Sequence, residues 1–357
     1  MKTLPAVTAT PEQLRLISNN SLGAEVIRGA AGSGKTSTAI LRLRSLAYMF
    51  EERRNREGRA EPVRILVLTF NRTLSGYVRT LVDEQVHGLV ATDLTVDTFG
   101  RWAMQHLGMP PVIRHRAREN KIRELAEPIA ALSPEYVFKE VDYLLGRFRP
   151  DRIDDYLTAE RTGRGTEPRV DRALRQRILS EVVYPYLEWL SQRGELDWNG
   201  VAVRMADSDT HGNYDVVIVD ESQDFSANQL RAVRHHVADP FSVTFVIDTI
   251  QRIYARGFTW LETGFVVAGG RFFTLQANHR NTRQIAAFAA GILQGMAPEA
   301  DGSLPNLATA LRDGSSPTVL LGLYNQQEIG PSISSRRAST CERKRSLFYI
   351  PKVCLVH

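Results

Sequence analysis

Apolar residues along this chain fall into two alternating spacings. Short runs at 24–28, 63–70, 94–97, 216–220, 242–248 and 272–275 read as buried strands, bounded by turn-forming residues. Between them the apolar positions recur every three or four residues. Pro11 opens a short helix with Leu14, Leu16 and Ile17, the stretch 36–50 carries Ile40, Leu41, Leu43, Leu46 and Ala47 at helical spacing, and 72–82 reads as a further helix. Strand and helix alternating in this way predict an α/β fold, a parallel sheet with helices on both faces. From about 109 to 205 the strand pattern vanishes. Long charged helices replace it, as at 171–192, where Leu174, Ile178, Val182, Leu187 and Leu190 share one face. The simplest organisation is one α/β domain, residues 1–108 and 206–282, interrupted by an all-helical insertion, 109–205. A last amphipathic helix at 281–293 and a strand-like run at 318–323 make 283–330 the start of a second, incomplete domain. Residues 331–357 lose all period and are expected to be disordered; a short edge strand at Phe348, Tyr349 and Ile350 is the way that expectation would fail.

Composition narrows this little. The chain has 357 residues, 43% hydrophobic and 24% charged, as ordinary globular proteins do. No run approaches the ~18 apolar residues of a membrane helix and the N-terminus has no signal pattern, so a cytoplasmic location is expected. The net charge of +5 resides wholly in the tail, in Arg336, Arg337, Arg343, Lys344, Arg345 and Lys352 against Glu342. The body is therefore net neutral, and any contact with nucleic acid has to be argued from local residues. Cys341 and Cys354 also lie in the tail. Neither they nor His211, His235 and His236 have the spacing of a zinc site or a disulfide framework.

Two strings carry definite chemistry. Residues 29–36, Gly29-Ala30-Ala31-Gly32-Ser33-Gly34-Lys35-Thr36, match G-x-x-x-x-G-K-[ST] between a strand and a helix. In such a loop backbone N–H groups close around phosphate oxygens, Lys35 reaches the β- and γ-phosphates, and the Thr36 hydroxyl binds Mg²⁺. Residues 214–224 are an apolar strand ending in Asp220-Glu221-Ser222-Gln223-Asp224. Asp220 would share the Mg²⁺ shell, and Glu221 would orient and deprotonate a water. The pair points to ATP hydrolysis.

Further strings, in order, strengthen that reading. Thr10-Pro11-Glu12-Gln13, Thr69-Phe70-Asn71-Arg72, Asp97-Thr98-Phe99-Gly100, the run from Phe245 to Tyr254 with Asp248 and Gln251, and Asn278-His279-Arg280-Asn281-Thr282 resemble, with the two phosphate motifs, the ordered motifs of UvrD/Rep-like superfamily 1 DNA helicases. The resemblance covers residues 10–282. It implies a RecA-like P-loop fold, ATP and Mg²⁺ as cofactors, and ATP-driven 3′-to-5′ movement on single-stranded DNA. It further implies that Gln13 reads adenine with His279 stacking nearby, that Gln251 and Arg280 complete the γ-phosphate shell, and that Phe70, Asn71, Thr98, Phe99 and Tyr254 contact DNA. Taken singly, Gln13 reads more readily as an exposed first-turn residue and Arg280 as a surface ion-pair partner, while each aromatic ring is equally readable as core. Tyr254 is preferred over Trp260 as a base platform. The family's second motor domain is expected to be incomplete, which would impair unwinding. A nucleotide-dependent regulatory module, the partner of a nuclease or repair protein, is the alternative from another class. A small-molecule P-loop kinase explains fewer of the strings.

Overall fold

The computed structural model describes residues 9–29, 32–69, 76, 78–80, 82, 85, 91–161, 168–248, 258–267, 270–276, 278–293, 310–321, 348–350 and 353–356. The chain forms two compact units: residues 1–29 with 35–275, and residues 30–34 with 276–357.

The first unit is built on six parallel strands: β1 (Gly23–Gly29), β2 (Val63–Thr69), β3 (Thr92–Thr98), β4 (Tyr214–Val219), β5 (Val237–Asp248) and β6 (Phe272–Leu275). Their order across the sheet is β3-β2-β4-β5-β1-β6. Strand alternation explains why both faces need cover. Val216 and Ile218 join a core with Ile27, Ile65 and Val67 under helix α2 (Lys35–Arg56), whereas Val217 and Val219 point into the opposite core with Val26, Leu66, Leu68 and Phe245. That second core lies beneath α3 (Phe99–His106), α8 (Trp198–Ala206) and α9 (Ala227–His235). The expected α/β sandwich is present. Helix α2 outruns the apolar signal that ended at Phe50, because 51–56 contain only Glu, Arg and Asn, and the helix-favouring Glu and Arg extend it without an apolar pattern.

The helical insertion has its own core, centred on Val137, Val141, Leu144, Ile178, Val182 and Tyr186. It is made of α4 (His115–Ala126), α5 (Pro134–Arg147), α6 (Arg172–Arg177) and α7 (Tyr184–Arg193), the last two joined by a π turn, Ile178–Val183. By compactness it belongs with the parallel sheet in one unit. Its incoming and outgoing chains are paired: Leu196 N–H donates to the Pro111 carbonyl (2.9 Å) and Ile113 N–H to the Leu196 carbonyl (2.8 Å). No described helix is long and apolar enough to cross a membrane.

The second unit begins earlier than the sequence pattern places it and includes short strands of the tail. Asn278–Thr282 forms β7, which pairs with β8 (Ala310–Arg312) rather than with the six-stranded sheet, so this boundary falls at 275 and not after 282. Helix α10 (Arg283–Leu293) follows. In the tail, β10 (Phe348–Ile350) pairs with β11 (Val353–Val356), which pairs with β9 (Thr318–Leu321). Periodicity could not reveal this, because strands of three or four residues are too short to display it.

One buried histidine makes the fold acid-sensitive. The Gly212 N–H donates to Nδ1 of His236 (2.8 Å), so Nε2 carries the proton and donates to the Met205 carbonyl (3.1 Å). Burial, with His106 beside the ring, pushes the His236 pKa down to about 4. In the unfolded chain it returns to about 6.5. The unfolded state therefore takes up the proton first. The His236 contribution is fully present above about pH 6.5 and is lost as pH falls through about 4, a loss of roughly 3 kcal/mol. Urea unfolding between pH 4 and 7 should show this slope in the wild type and a flatter one in His236→Gln; equal slopes would assign the acid sensitivity to other groups.

Candidate functional site

The carboxyl ends of the parallel strands carry the chemistry, as expected for an open α/β sheet. Strand β1 ends at Gly29 and the chain turns into α2 at Lys35. Gly32 and Gly34 have φ of +86° and +84°, which side chains with a Cβ avoid, so these glycines are required for the turn. At the first turn of α2, the Thr36 hydroxyl lies 3.0 and 3.1 Å from the two carboxylate oxygens of Asp220, just beyond β4. The backbone N–H of Asp220 is held by the Leu68 carbonyl of β2 (2.8 Å). The sheet thus brings together two residues separated by 184 positions in the sequence.

These oxygen donors fit Mg²⁺, which takes one or two protein oxygens and keeps water and nucleotide phosphates as its other ligands. Among the described residues no three His, Cys, Asp or Glu side chains converge into a complete metal cage. Electrostatics favour a cation here. Burial, and then the neighbouring Glu221, push the Asp220 pKa up to about 6, and burial with Glu221 and Asp248 also raises that of Asp224. A divalent cation would relieve this crowding of acids.

Glu221 is in the left-handed region, φ 50°, an uncommon conformation for a residue with a side chain. Gln223 holds it there: its Nε2 donates to the Glu221 carboxylate (2.6 Å), while its Oε1 accepts the N–H of Asp248 at the end of β5 (3.1 Å). The Ser222 hydroxyl donates to the Val246 carbonyl of the same strand (3.0 Å). The Lys35 ammonium is 3.3 Å from the Asp248 carboxylate, and both side chains are under 10% exposed. Sequence reading had not assigned roles to Gln223 and Asp248 in holding Glu221 and Lys35. Their position inside the two strings was visible, but the strand neighbours that join them were not.

A second site follows along the same sheet edge. Beyond β2 and β3 lies a cavity of about 570 Å³ whose lining includes Thr69, Thr98, Phe99, Gly100, Met109 and Trp198. Phe99 is at this cavity but is largely buried. Its ring is 5% exposed and packs edge-on against Trp102 and Phe225, so it is a core ring that shows only an edge to the cavity. The exposed ring is Trp198, at 51%. It lies across Gly100, where a Cβ would come within 3.2 Å of the indole. Sequence reading missed it, because a single tryptophan at the start of a helix, here α8, carries no periodic signal. The Thr98 hydroxyl caps α3 by accepting the Arg101 N–H (3.4 Å).

Gln13 is not the exposed first-turn residue of the bland reading. It is 4% exposed, and its Oε1 accepts the Thr10 N–H (2.9 Å) in a capping box of α1 (Pro11–Ile17). Ala30, Ala31, Phe70, Asn71, Gln251 and Tyr254 lie outside the described residues. His279 and Arg280 are placed on β7 in the second unit, described by backbone alone.

Comparison with known families agrees with this geometry. A family model described as the UvrD/REP helicase N-terminal domain matches residues 9–258, more than half of the chain. No curated protein matches it.

Proposed function

Because the chain belongs to the UvrD/REP helicase family through its N-terminal domain, we propose that it binds MgATP at Lys35, Thr36 and Asp220 and hydrolyses it with Glu221 as base. We propose further that the energy drives 3′-to-5′ movement on single-stranded DNA lying along the carboxyl edge of the sheet, in the cytoplasm. The observation that carries this reading is the Thr36–Asp220 contact with Glu221 next in the chain. It supports a hydrolytic site, since the hydroxyl and the carboxylate that would hold Mg²⁺ meet and a second carboxylate is next in the chain. Gln13 and His279 are proposed at the adenine, and Gln251 and Arg280 at the γ-phosphate. Phe70, Asn71, Thr98 and Tyr254 are proposed at the DNA, with Trp198 as the base platform in place of Phe99.

Lys35 and Thr36 would hold the nucleotide with its cation, which supplies charge neutralisation at the phosphates. Glu221, positioned by Gln223, would take the proton of the attacking water. Stimulation of ATP turnover by an oligothymidine tests the reading. ATP-dependent binding of a protein partner with no turnover would replace it by a regulatory module. Trp198→Ala is expected to weaken oligothymidine binding by about 1–3 kcal/mol, the range for a stacked base, with no fall in melting temperature. Unchanged affinity would remove Trp198 from the DNA path.

A further inference from the structure

Arg42 is among the largest side chains that the fold buries completely. It stands two turns into α2, where the neighbouring buried positions Ala39, Ile40, Leu43 and Leu46 are apolar. Its guanidinium is in contact with the Glu25 carboxylate of β1, and both side chains are 1% exposed. Nε donates to the Asn19 carbonyl (2.9 Å) and Nη1 to the Thr244 hydroxyl of β5 (3.0 Å). Glu25 in turn accepts from the Asn19 amide (3.0 Å) and from the Ser21 hydroxyl, which fixes the connection between α1 and β1. The remaining nitrogen, Nη2, has no hydrogen-bond partner among the described residues. Burial pushes the guanidinium pKa down, and Glu25 opposes this only in part. A buried ion pair with an unmet donor is a poor device for stability, since apolar residues of similar volume commonly hold a core as well or better.

Strand register gives the pair a different use. Glu25 lies opposite Thr244 in the β1–β5 ladder, and Gly29 lies opposite Asp248 at its end. Helix α2 is tied to this strand pair at both rungs: Lys35, its first residue, meets Asp248 (3.3 Å), and Arg42 meets Glu25 and Thr244. Strand β1 and helix α2 are the two elements that flank the loop 30–34, so the ties fix both flanks of that loop. Nucleotide acts on the two ties differently. An ammonium that turns to the β- and γ-phosphates loosens its hold on Asp248. Arg42 lies about 10 Å further along the helix axis and is sealed from solvent, so its tie persists.

We propose that Arg42 is a positioning residue for phosphate binding: with Glu25 and Thr244 it holds the start of α2 against β1 and β5 while Lys35 exchanges Asp248 for phosphate. This rests on the reading of residues 29–36 as an ATP site. The charge and the fork of the guanidinium both matter, because one side chain has to meet a carboxylate, a backbone carbonyl and a hydroxyl that belong to three different segments.

The test sets MgATP affinity, by titration calorimetry, against melting temperature in variants of the full chain. The triple variant Arg42→Met, Glu25→Leu, Thr244→Val replaces the charges by apolar groups and leaves no buried hydroxyl without its donor. It should melt within about 4 °C of the wild type and bind MgATP about ten- to a hundredfold more weakly, the scale on which a displacement of about 1 Å is felt. Arg42→Lys keeps a cation beside Glu25 but cannot reach Asn19 and Thr244 together. It should lose about three- to tenfold in affinity, and it decides the matter if the triple variant does not fold. Val182→Ala, a cavity in the core of the insertion, is the control and should lower the melting temperature with ATP affinity unchanged. Wild-type affinity in the triple variant or, where that does not fold, in Arg42→Lys would overturn the role of Arg42. So would a loss of affinity in Val182→Ala equal to that in Arg42→Lys, since general destabilisation would then explain both. If the wild type itself binds no MgATP, the ATP-site reading and the role of Arg42 fall together.

Discussion

Glu221→Gln is expected to cut MgATP turnover by about a hundredfold or more while leaving ATP affinity within about threefold of wild type. The substitution keeps the length and shape of the side chain. The Glu221 carboxylate accepts from Gln223 Nε2 at 2.6 Å, and an amide oxygen at position 221 can still accept that hydrogen bond, though more weakly. The left-handed backbone at 221 is therefore retained. What disappears is the capacity to take a proton from water. One negative charge also leaves the group formed by Asp220, Glu221 and Asp224, so repulsion of the nucleotide phosphates falls and ATP affinity should be preserved or improved. Titration calorimetry with ATP under single-turnover limits, beside steady-state phosphate release, separates these effects. Undiminished release would show that another group handles the water, and a loss of binding matching the loss of rate would show that Glu221 holds nucleotide instead.

The parts of this site legible in the sequence are those whose chemistry is local. A phosphate loop needs glycines at fixed offsets from a lysine and a hydroxyl, and the run 29–36 states all of them within eight residues. Strand β4 was legible because a strand buried on both faces is an unbroken apolar run, as Val216 to Val219 are. Contacts made across the sheet were not legible. That Lys35 meets Asp248 depends on β1 and β5 being neighbours with Gly29 opposite Asp248, and that Gln223 spans Glu221 and Asp248 depends on β4 and β5 being neighbours with Val219 opposite Phe245. The aromatic rings illustrate the same limit. Phe99 lies in a motif and turns inward, whereas Trp198 lies outside every motif and stays exposed, because strand-end chemistry fixes a position in sequence but not which ring the cavity leaves open. The tail shows the converse, since β10 and β11 pair through the backbone and need no periodic side-chain pattern.

Lys35→Ala is expected to abolish MgATP binding and, beyond that, to destabilise the fold. The first effect follows from the phosphate loop, where the ammonium is the point charge that meets the β- and γ-phosphates. The second follows from the structure. Lys35 and Asp248 form an ion pair at 3.3 Å with side chains only 8% and 5% exposed, so truncating the lysine removes a cation from beside a buried carboxylate. Breaking a buried pair from one side costs about 3–5 kcal/mol, whereas replacing both partners by neutral groups costs much less. The double variant Lys35→Ala with Asp248→Asn should therefore recover most of the lost melting temperature without recovering nucleotide binding. Both variants keep the backbone N–H of residue 248, so its hydrogen bond to Gln223 is retained and the comparison isolates charge. Thermal unfolding and calorimetric ATP titration of the two single variants and the double variant decide the matter. If the single lysine variant melts with the wild type, the pair contributes nothing to stability. If the double variant regains ATP affinity, the lysine serves mainly to neutralise Asp248, and the phosphates are held by the loop backbone.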